Sequence, residues 1–94
     1  MVSAIAISSS HVASSAAVKA TAGRVYGVIA YPTATAGSVI IKNGGTGGTA
    51  VLQIDTPASA TAAVPSVVLI PHWIDCSTDI WCTLSNAKAT VLYK

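Results

Sequence analysis

Five side chains of types that bind metals fall within eleven residues towards the end of the sequence. They are His72, Asp75, Cys76, Asp79 and Cys82. Structural zinc sites usually pair cysteines with roughly two to four residues between them and add a second pair of ligands elsewhere. Here five residues separate the only two cysteines of the chain. The spacing does not support a zinc site, and we expect neither a metal nor a cofactor.

The same two cysteines could form a disulfide if Cys76 and Cys82 faced each other across a tight hairpin. The low cysteine count and the lack of a secretory signal at the start of the chain favour reduced thiols instead. From the sequence, both states remain open.

Two other patterns share features with enzyme sites. Three serines at 8–10 precede His11, but nucleophilic catalysis also needs an orienting carboxylate that converges with the other two groups. The glycine-rich run 44–48 lacks the Lys-Ser or Lys-Thr pair of a phosphate-binding loop and is read as a hairpin connection. With three aspartates and no glutamate, paired carboxylates are scarce as well. We predict that the chain is not an enzyme.

Trp73 and Trp81 are the two largest apolar side chains. An exposed pair of indoles could stack on sugar rings, and a carbohydrate-binding module therefore stays as an alternative. Tryptophan is also enriched in cores and in subunit interfaces. We favour that role, and predict that Trp73, Trp81 and Tyr93 are core or interface anchors.

The elements that must position these residues are predicted to be strands. Val and Ile are abundant, and Gly and Pro clusters interrupt the sequence at strand-like spacing. The predicted extended segments are 2–7, 12–19, 24–31, 38–42, 49–55, 66–70, 74–76, 80–85 and 89–93, the last two forming a hairpin around 86–88. The pattern predicts an all-β fold in which two antiparallel sheets form a β-sandwich, jelly-roll-like in topology.

The composition bounds the partners of the chain. Its 94 residues make one domain, and 9% are charged, against about 25% in an ordinary soluble domain. So little charge, and so small a core, predict a surface covered by other protein, with a homotrimer as the expected state. The scattered basic residues argue against nucleic acid. Three prolines in the charge-free stretch 56–74 argue against a membrane helix.

The first seventeen residues carry no charged side chain and little bulk. We predict that residues 1–17 form an extended N-terminal arm or edge strand ahead of the β-sandwich domain at 18–94. Such a segment would pair with a sheet edge in its own subunit or in a neighbouring one. The side chains expected to grip are Val2, Ile5 and Ile7.

From residue 18 onward the chain resembles small structural proteins of tailed-bacteriophage virions, of the capsid decoration or cement type. The similar run at 18–27 contains Val-Lys, small residues and then Gly-Arg-Val-Tyr-Gly. The strand 38–43, the stretch 68–80 and the end at 90–94 are also similar to that family. In 68–80, Trp73, Cys76 and Asp79 stand where the family has Gly, Phe and a second Gly.

The resemblance implies a subunit, often trimeric, that sits on the outer surface of an icosahedral capsid. Its partner would be the major capsid protein, and it would stabilise the shell by bridging neighbouring capsid subunits. It implies no enzymatic activity, and a location on the virion after synthesis in the bacterial cytoplasm. Another virion role, such as a head–tail or tail adaptor, is the alternative.

Overall fold

A computed structural model describes residues 7–58 and 66–94, which form strands and no helix. The all-β prediction is therefore confirmed. In this part of the chain there is no helix of the length and hydrophobicity needed to cross a membrane. The strands are β1 (Ser8–Val12), β2 (Ala16–Lys19), β3 (Gly23–Pro32), β4 (Gly37–Asn43), β5 (Thr49–Thr56), β6 (Ser66–Cys76), β7 (Ile80–Ser85) and β8 (Ala87–Tyr93).

The strands make two four-stranded antiparallel sheets, which confirms the predicted arrangement at that level. The first sheet has the order β1-β8-β3-β6 and the second sheet the order β2-β7-β4-β5. The pairs are nested along the chain, because β1 pairs with β8, β2 with β7, β3 with β6 and β4 with β5. Two further pairs, β3 with β8 and β4 with β7, join the nested pairs into sheets.

Alternation along each strand sends small apolar side chains into one shared core. On β3, Val25, Val28 and Ala30 are fully buried, and Ile41 on β4 belongs to the same cluster from the second sheet. Most members are valine or alanine, which suit a pleated surface and a narrow space between sheets. The cluster consists of Val12, Val25, Val28, Ala30, Val39, Ile41, Cys76, Ile80, Cys82, Ala87, Ala89 and Val91.

Strand β6 corrects the prediction of two separate strands at 66–70 and 74–76. It runs unbroken from Ser66 to Cys76, but its register with β3 shifts. Ile74 lies opposite Val25 and Leu69 opposite Gly27, so that residues 70–73 face a single β3 position. Pro71 falls within this irregular stretch and has no N–H to donate. Proline is tolerated there because β6 is an edge strand and the ladder is already interrupted.

The predicted hairpin around 86–88 is wrong. Strand β7 lies in the second sheet between β2 and β4, whereas β8 lies in the first sheet between β1 and β3. Between them Asn86 has φ 48°, in the left-handed region that asparagine tolerates better than most residues. The tight turn at Asn86 therefore carries the chain from one sheet to the other.

The N-terminal segments are also displaced from their predicted bounds. Strand β1 begins at Ser8, pairs with β8 and, among the described strands, forms an edge of the first sheet in its own chain. Residues 1–6 lie outside the described residues. The predicted segment 12–19 contains the end of β1 and then β2, which starts at Ala16.

One glycine is fixed by close packing where β4 meets the end of β7. A Cβ on Gly37 would overlap the Ser85 carbonyl oxygen and lie 2.8 Å from the Asn86 carbonyl oxygen. We expect Gly37→Ala to lower the free energy of unfolding by about 1–3 kcal/mol, as overpacking usually does. Urea denaturation of the variant and of the wild type measures the difference.

Gly47→Ala is the matched control, because a Cβ there meets no atom within 4 Å and the φ of Gly47 is not in the left-handed region. The urea concentration at the unfolding midpoint of Gly47→Ala should stay near that of the wild type. Equal midpoints for the two variants would contradict the packing argument.

Candidate functional site

The residues of metal-binding type whose side chains are described do not form a ligand set. Cys76 and Cys82 are both free and buried, on β6 and β7, and belong to the core cluster. Asp75 and Asp79 are engaged by other groups, as described below, and the side chain of His72 lies outside the described residues. Within the described part of the chain, no three His, Cys or acidic side chains are placed to hold a metal ion.

Asp79 and Asn43 tie the glycine-rich loop to the turn between β6 and β7. One Asp79 carboxylate oxygen accepts the N–H groups of Gly44 and Gly45, at 2.8 and 3.0 Å. Asn43 Oδ1 accepts the Thr78 N–H at 2.9 Å. Strands β4 and β5 pair directly across the loop, as the hairpin prediction has it. These groups therefore brace two turns and leave no phosphate cradle.

The serine–histidine pattern at 8–11 gains no orienting carboxylate. His11 Nδ1 lies 3.1 Å from Thr90 Oγ1, and its ring packs edge-on against Tyr31 with centroids 5.5 Å apart. The three carboxylates lie elsewhere. Asp75 lies beside Arg24, and Asp79 lies at the braced turns. Asp55 accepts a hydrogen bond from Gln53 on the same strand, β5. The arrangement offers no nucleophilic triad.

Large side chains instead cover the outer side of the first sheet. Because Val25 and Cys76 point into the core, Arg24, Trp73 and Asp75 lie on the opposite side. The Arg24 guanidinium stands 4.5 Å from the Trp73 ring centroid and 3.5 Å from an Asp75 carboxylate oxygen. Trp73 is 40% exposed, and its ring centroid is 6.2 Å from that of Tyr26.

The other end of the same side holds a second polar–aromatic group. The Thr90 hydroxyl lies 3.3 Å from the Tyr31 hydroxyl and within hydrogen-bonding distance of His11. Ile29 lies opposite Thr90 in the ladder and Leu92 two residues further on, so both face outward and are half-buried. We call the surface formed by Arg24, Tyr26, Ile29, Tyr31, Trp73, Thr90 and Leu92 the aromatic face.

The two tryptophans lie on opposite sides of the molecule. Trp81 lies on β7 between the buried Ile80 and Cys82, and so faces outward from the second sheet. Its indole N–H donates to Thr83 Oγ1 at 3.1 Å. Because Trp73 faces outward from the first sheet, the two indoles cannot clasp one ligand.

The predicted anchors therefore have different surroundings. Tyr93 packs against the core cluster, Trp81 is half-buried, and Ile7 is 48% exposed. Val2 and Ile5 lie outside the described residues. Neither tryptophan is part of the core cluster, so that an interface role for Trp73 and Trp81 stays a prediction.

Sequence reasoning missed Arg24, Tyr26 and Tyr31 as surface residues. The signal is present in the alternation of β3, where they are interleaved with the buried Val25 and Val28. Three of the five aromatic residues of the chain lie on the aromatic face, which marks it as the most distinctive surface of the described residues.

Comparison of the chain with protein-family models, with curated proteins and with solved structures gives no match. Its function has to be inferred from the chemistry and geometry of these surfaces.

Both thiols are held in their protonated form. Burial raises the pKa of Cys82 to about 11. Burial also raises the pKa of Cys76, and the negative charges of Asp79 and Asp75 raise it further. Neither thiol should react readily with an alkylating or disulfide reagent in the folded protein near neutral pH, because the thiolate is the reactive form.

The raised pKa of Cys82 predicts a loss of stability at alkaline pH. The contribution of the protonated Cys82 thiol to the free energy of unfolding is fully present below the unfolded thiol pKa of about 8.5. It is lost as the pH rises towards 11. In that window the wild type should lose up to about 1.4 kcal/mol per pH unit more than Cys82→Ala. Urea denaturation at pH values from about 8 to about 10.5 measures the slope of the free energy of unfolding against pH for both proteins. The other titrating groups are common to the two proteins, and parallel slopes would contradict the prediction.

Proposed function

We propose that this chain is a virion structural protein of the capsid decoration type, which docks on a capsid shell through its aromatic face. The observation that carries the proposal is the exposed Trp73 ring, stacked under Arg24 and beside Tyr26 in a chain with so few charges. Trp, Tyr and Arg are the residue types that most often dominate protein–protein binding energy.

The fold proposed with this function is a jelly roll. The nested pairs of β1 with β8, β2 with β7, β3 with β6 and β4 with β5 support it. Such nesting arises when one long antiparallel hairpin is wound into two sheets of four strands. Jelly rolls of eight strands occur in viral capsid and lectin domains.

The aromatic face suits a protein partner better than a small ligand. It extends over β3, β6 and β8, and in the described part of the chain it has no deep cleft lined by convergent polar groups, which small-molecule sites usually have. The ion pair between Arg24 and Asp75 at one end of this face is exposed, as the polar rim of a protein interface is. The partner proposed is the major capsid protein, and many copies binding at once would bridge its subunits.

A carbohydrate-binding role has less support. The Arg24 guanidinium covers one side of the Trp73 ring, and Trp81 lies on the other outer side of the molecule. A head–tail or tail adaptor would use the same kind of surface but would assemble into a ring, so that its symmetry distinguishes it.

Truncating one tryptophan tests the docking face, and the other provides the control. Trp73→Ala should weaken co-sedimentation with capsid shells, assembled from the major capsid protein encoded with this chain, by about thirtyfold, as loss of a hot-spot residue does. Trp81→Ala should bind within about twofold of the wild type, because its indole faces away from the proposed interface. Circular dichroism checks that both variants fold. Equal losses for the two variants would refute the assignment of the face.

The oligomeric state is a separate prediction. We expect sedimentation equilibrium to give three times the 9.4 kDa chain mass, with the segment before β1 gripping a neighbouring subunit through Val2, Ile5 and Ile7. Among the described strands β1 is an edge strand that pairs on one side, and such a segment can add to the other side. Deleting residues 1–6 leaves β1 whole and should convert the trimer to monomer. A trimer that survives the deletion unchanged would rule out the arm, and a wild-type monomer would rule out the trimer.

A further inference from the structure

Three of the five basic side chains converge on one end of the molecule. Lys19 ends β2, Arg24 lies at the start of β3, and Lys94 follows β8. Together with Asp75 they line an open depression of about 560 Å³, which we call the basic depression. Lys94 is far from Lys19 and Arg24 in sequence, and the pairing of β8 with β3 brings it to them.

The basic depression carries the net charge of the chain. Its three cations and one aspartate leave two positive charges, which equals the formal net charge of +2. The two remaining lysines, Lys42 and Lys88, are balanced by the two remaining aspartates. The positive charge is therefore localised at one end, although the sequence spreads its basic residues widely.

The backbone holds this arrangement in place. Arg24 N–H donates to the Lys94 carbonyl oxygen at 2.8 Å, and Lys94 N–H donates back to the Arg24 carbonyl oxygen at 2.9 Å. A Cβ on Gly23 would lie 2.8 Å from the Lys94 carbonyl oxygen and 2.9 Å from Lys19 Cδ. A side chain at position 23 would collide with the Lys94 backbone, so that glycine suits this position.

Within the described residues, two of the three cations have no aspartate partner. The Arg24 guanidinium makes an ion pair with Asp75 and a cation–π contact with the Trp73 ring. All three aspartates lie among the described residues, and there the pair of Arg24 with Asp75 is the one ion pair. Lys19 and Lys94 are therefore available to an anion that enters the depression beside the aromatic ring.

We propose that the basic depression binds an acidic segment of a protein, with carboxylates on Lys19 and Lys94 and an apolar neighbour on Trp73. In this chain the Asp75 carboxylate already lies beside Arg24, and the Arg24 guanidinium stands over the Trp73 indole. An acidic segment bound here would extend this pattern of contacts. Nucleic acid fits less well, because Asp75 stands at the rim and three cations do not make a backbone-tracking stripe.

This site adjoins the proposed docking face and shares Arg24 and Trp73 with it, but it does not depend on the identity of the capsid partner. The two tests can succeed or fail separately, since one removes Trp73 and the other removes the two lysines.

The test measures fluorescence anisotropy of a fluorescein-labelled, C-terminally amidated peptide, Leu-Glu-Glu-Leu-Glu-Glu, with the full chain at low salt. The same peptide with Gln in place of Glu is the uncharged control. We expect Lys19→Ala/Lys94→Ala to bind the acidic peptide about tenfold more weakly than the wild type. Lys42→Ala/Lys88→Ala removes the same charge elsewhere and should bind within about twofold of the wild type.

Equal losses in the two double variants would show a non-specific charge effect and overturn the proposal. Equal binding of the Glu and Gln peptides would overturn it too. Tighter binding of a short single-stranded DNA of equal charge would assign the depression to nucleic acid instead. Circular dichroism confirms that both double variants fold, so that a loss of binding reports on the site.

Discussion

Strand β3 lies between β8 and β6, and the alternation of its side chains decides what each side of the first sheet presents. Val25, Val28 and Ala30 enter the core, which forces Arg24 and Tyr31 outward. Towards β8 the register slips by one residue at Tyr26, and towards β6 it slips by more. A bulge of this kind re-aims a side chain and increases local twist. Core, aromatic face and basic depression all depend on this one strand.

The core is built from side chains too small to fix the loops by themselves. Valines and alanines dominate it, and its two cysteines act as further small apolar groups. Short polar side chains secure the turns instead: Asp79 and Asn43 brace the glycine-rich loop, and the Thr33 hydroxyl donates to the Asn86 carbonyl oxygen at 2.8 Å. In this chain, hydrogen bonds of this type hold the turns in place, as long charged side chains do in more highly charged domains.

Local patterns are sufficient to predict where most strands begin and end and insufficient to predict which strands pair. Strands β3, β4, β5 and β7 fall within a residue or two of the predicted segments, because alternation and flanking glycines are local signals. The expected hairpin at 86–88 was wrong because the same turn chemistry serves a crossing between sheets. Pro71 suggested a break in β6, since a sequence does not say that a strand lies at an edge.

The candidate sites were harder to predict than the strands because no local segment contains them. The basic depression needs β8 to pair with β3, which brings Lys94 to Arg24 and joins the last strand to the first half of the chain. Its three cations look scattered until that pairing closes, and the aromatic face likewise requires β6 to reach β3. Both surfaces are therefore properties of the completed nested pairing. Because both surfaces require contacts between distant parts of the chain, the pairing that builds them is of the kind that folds slowly.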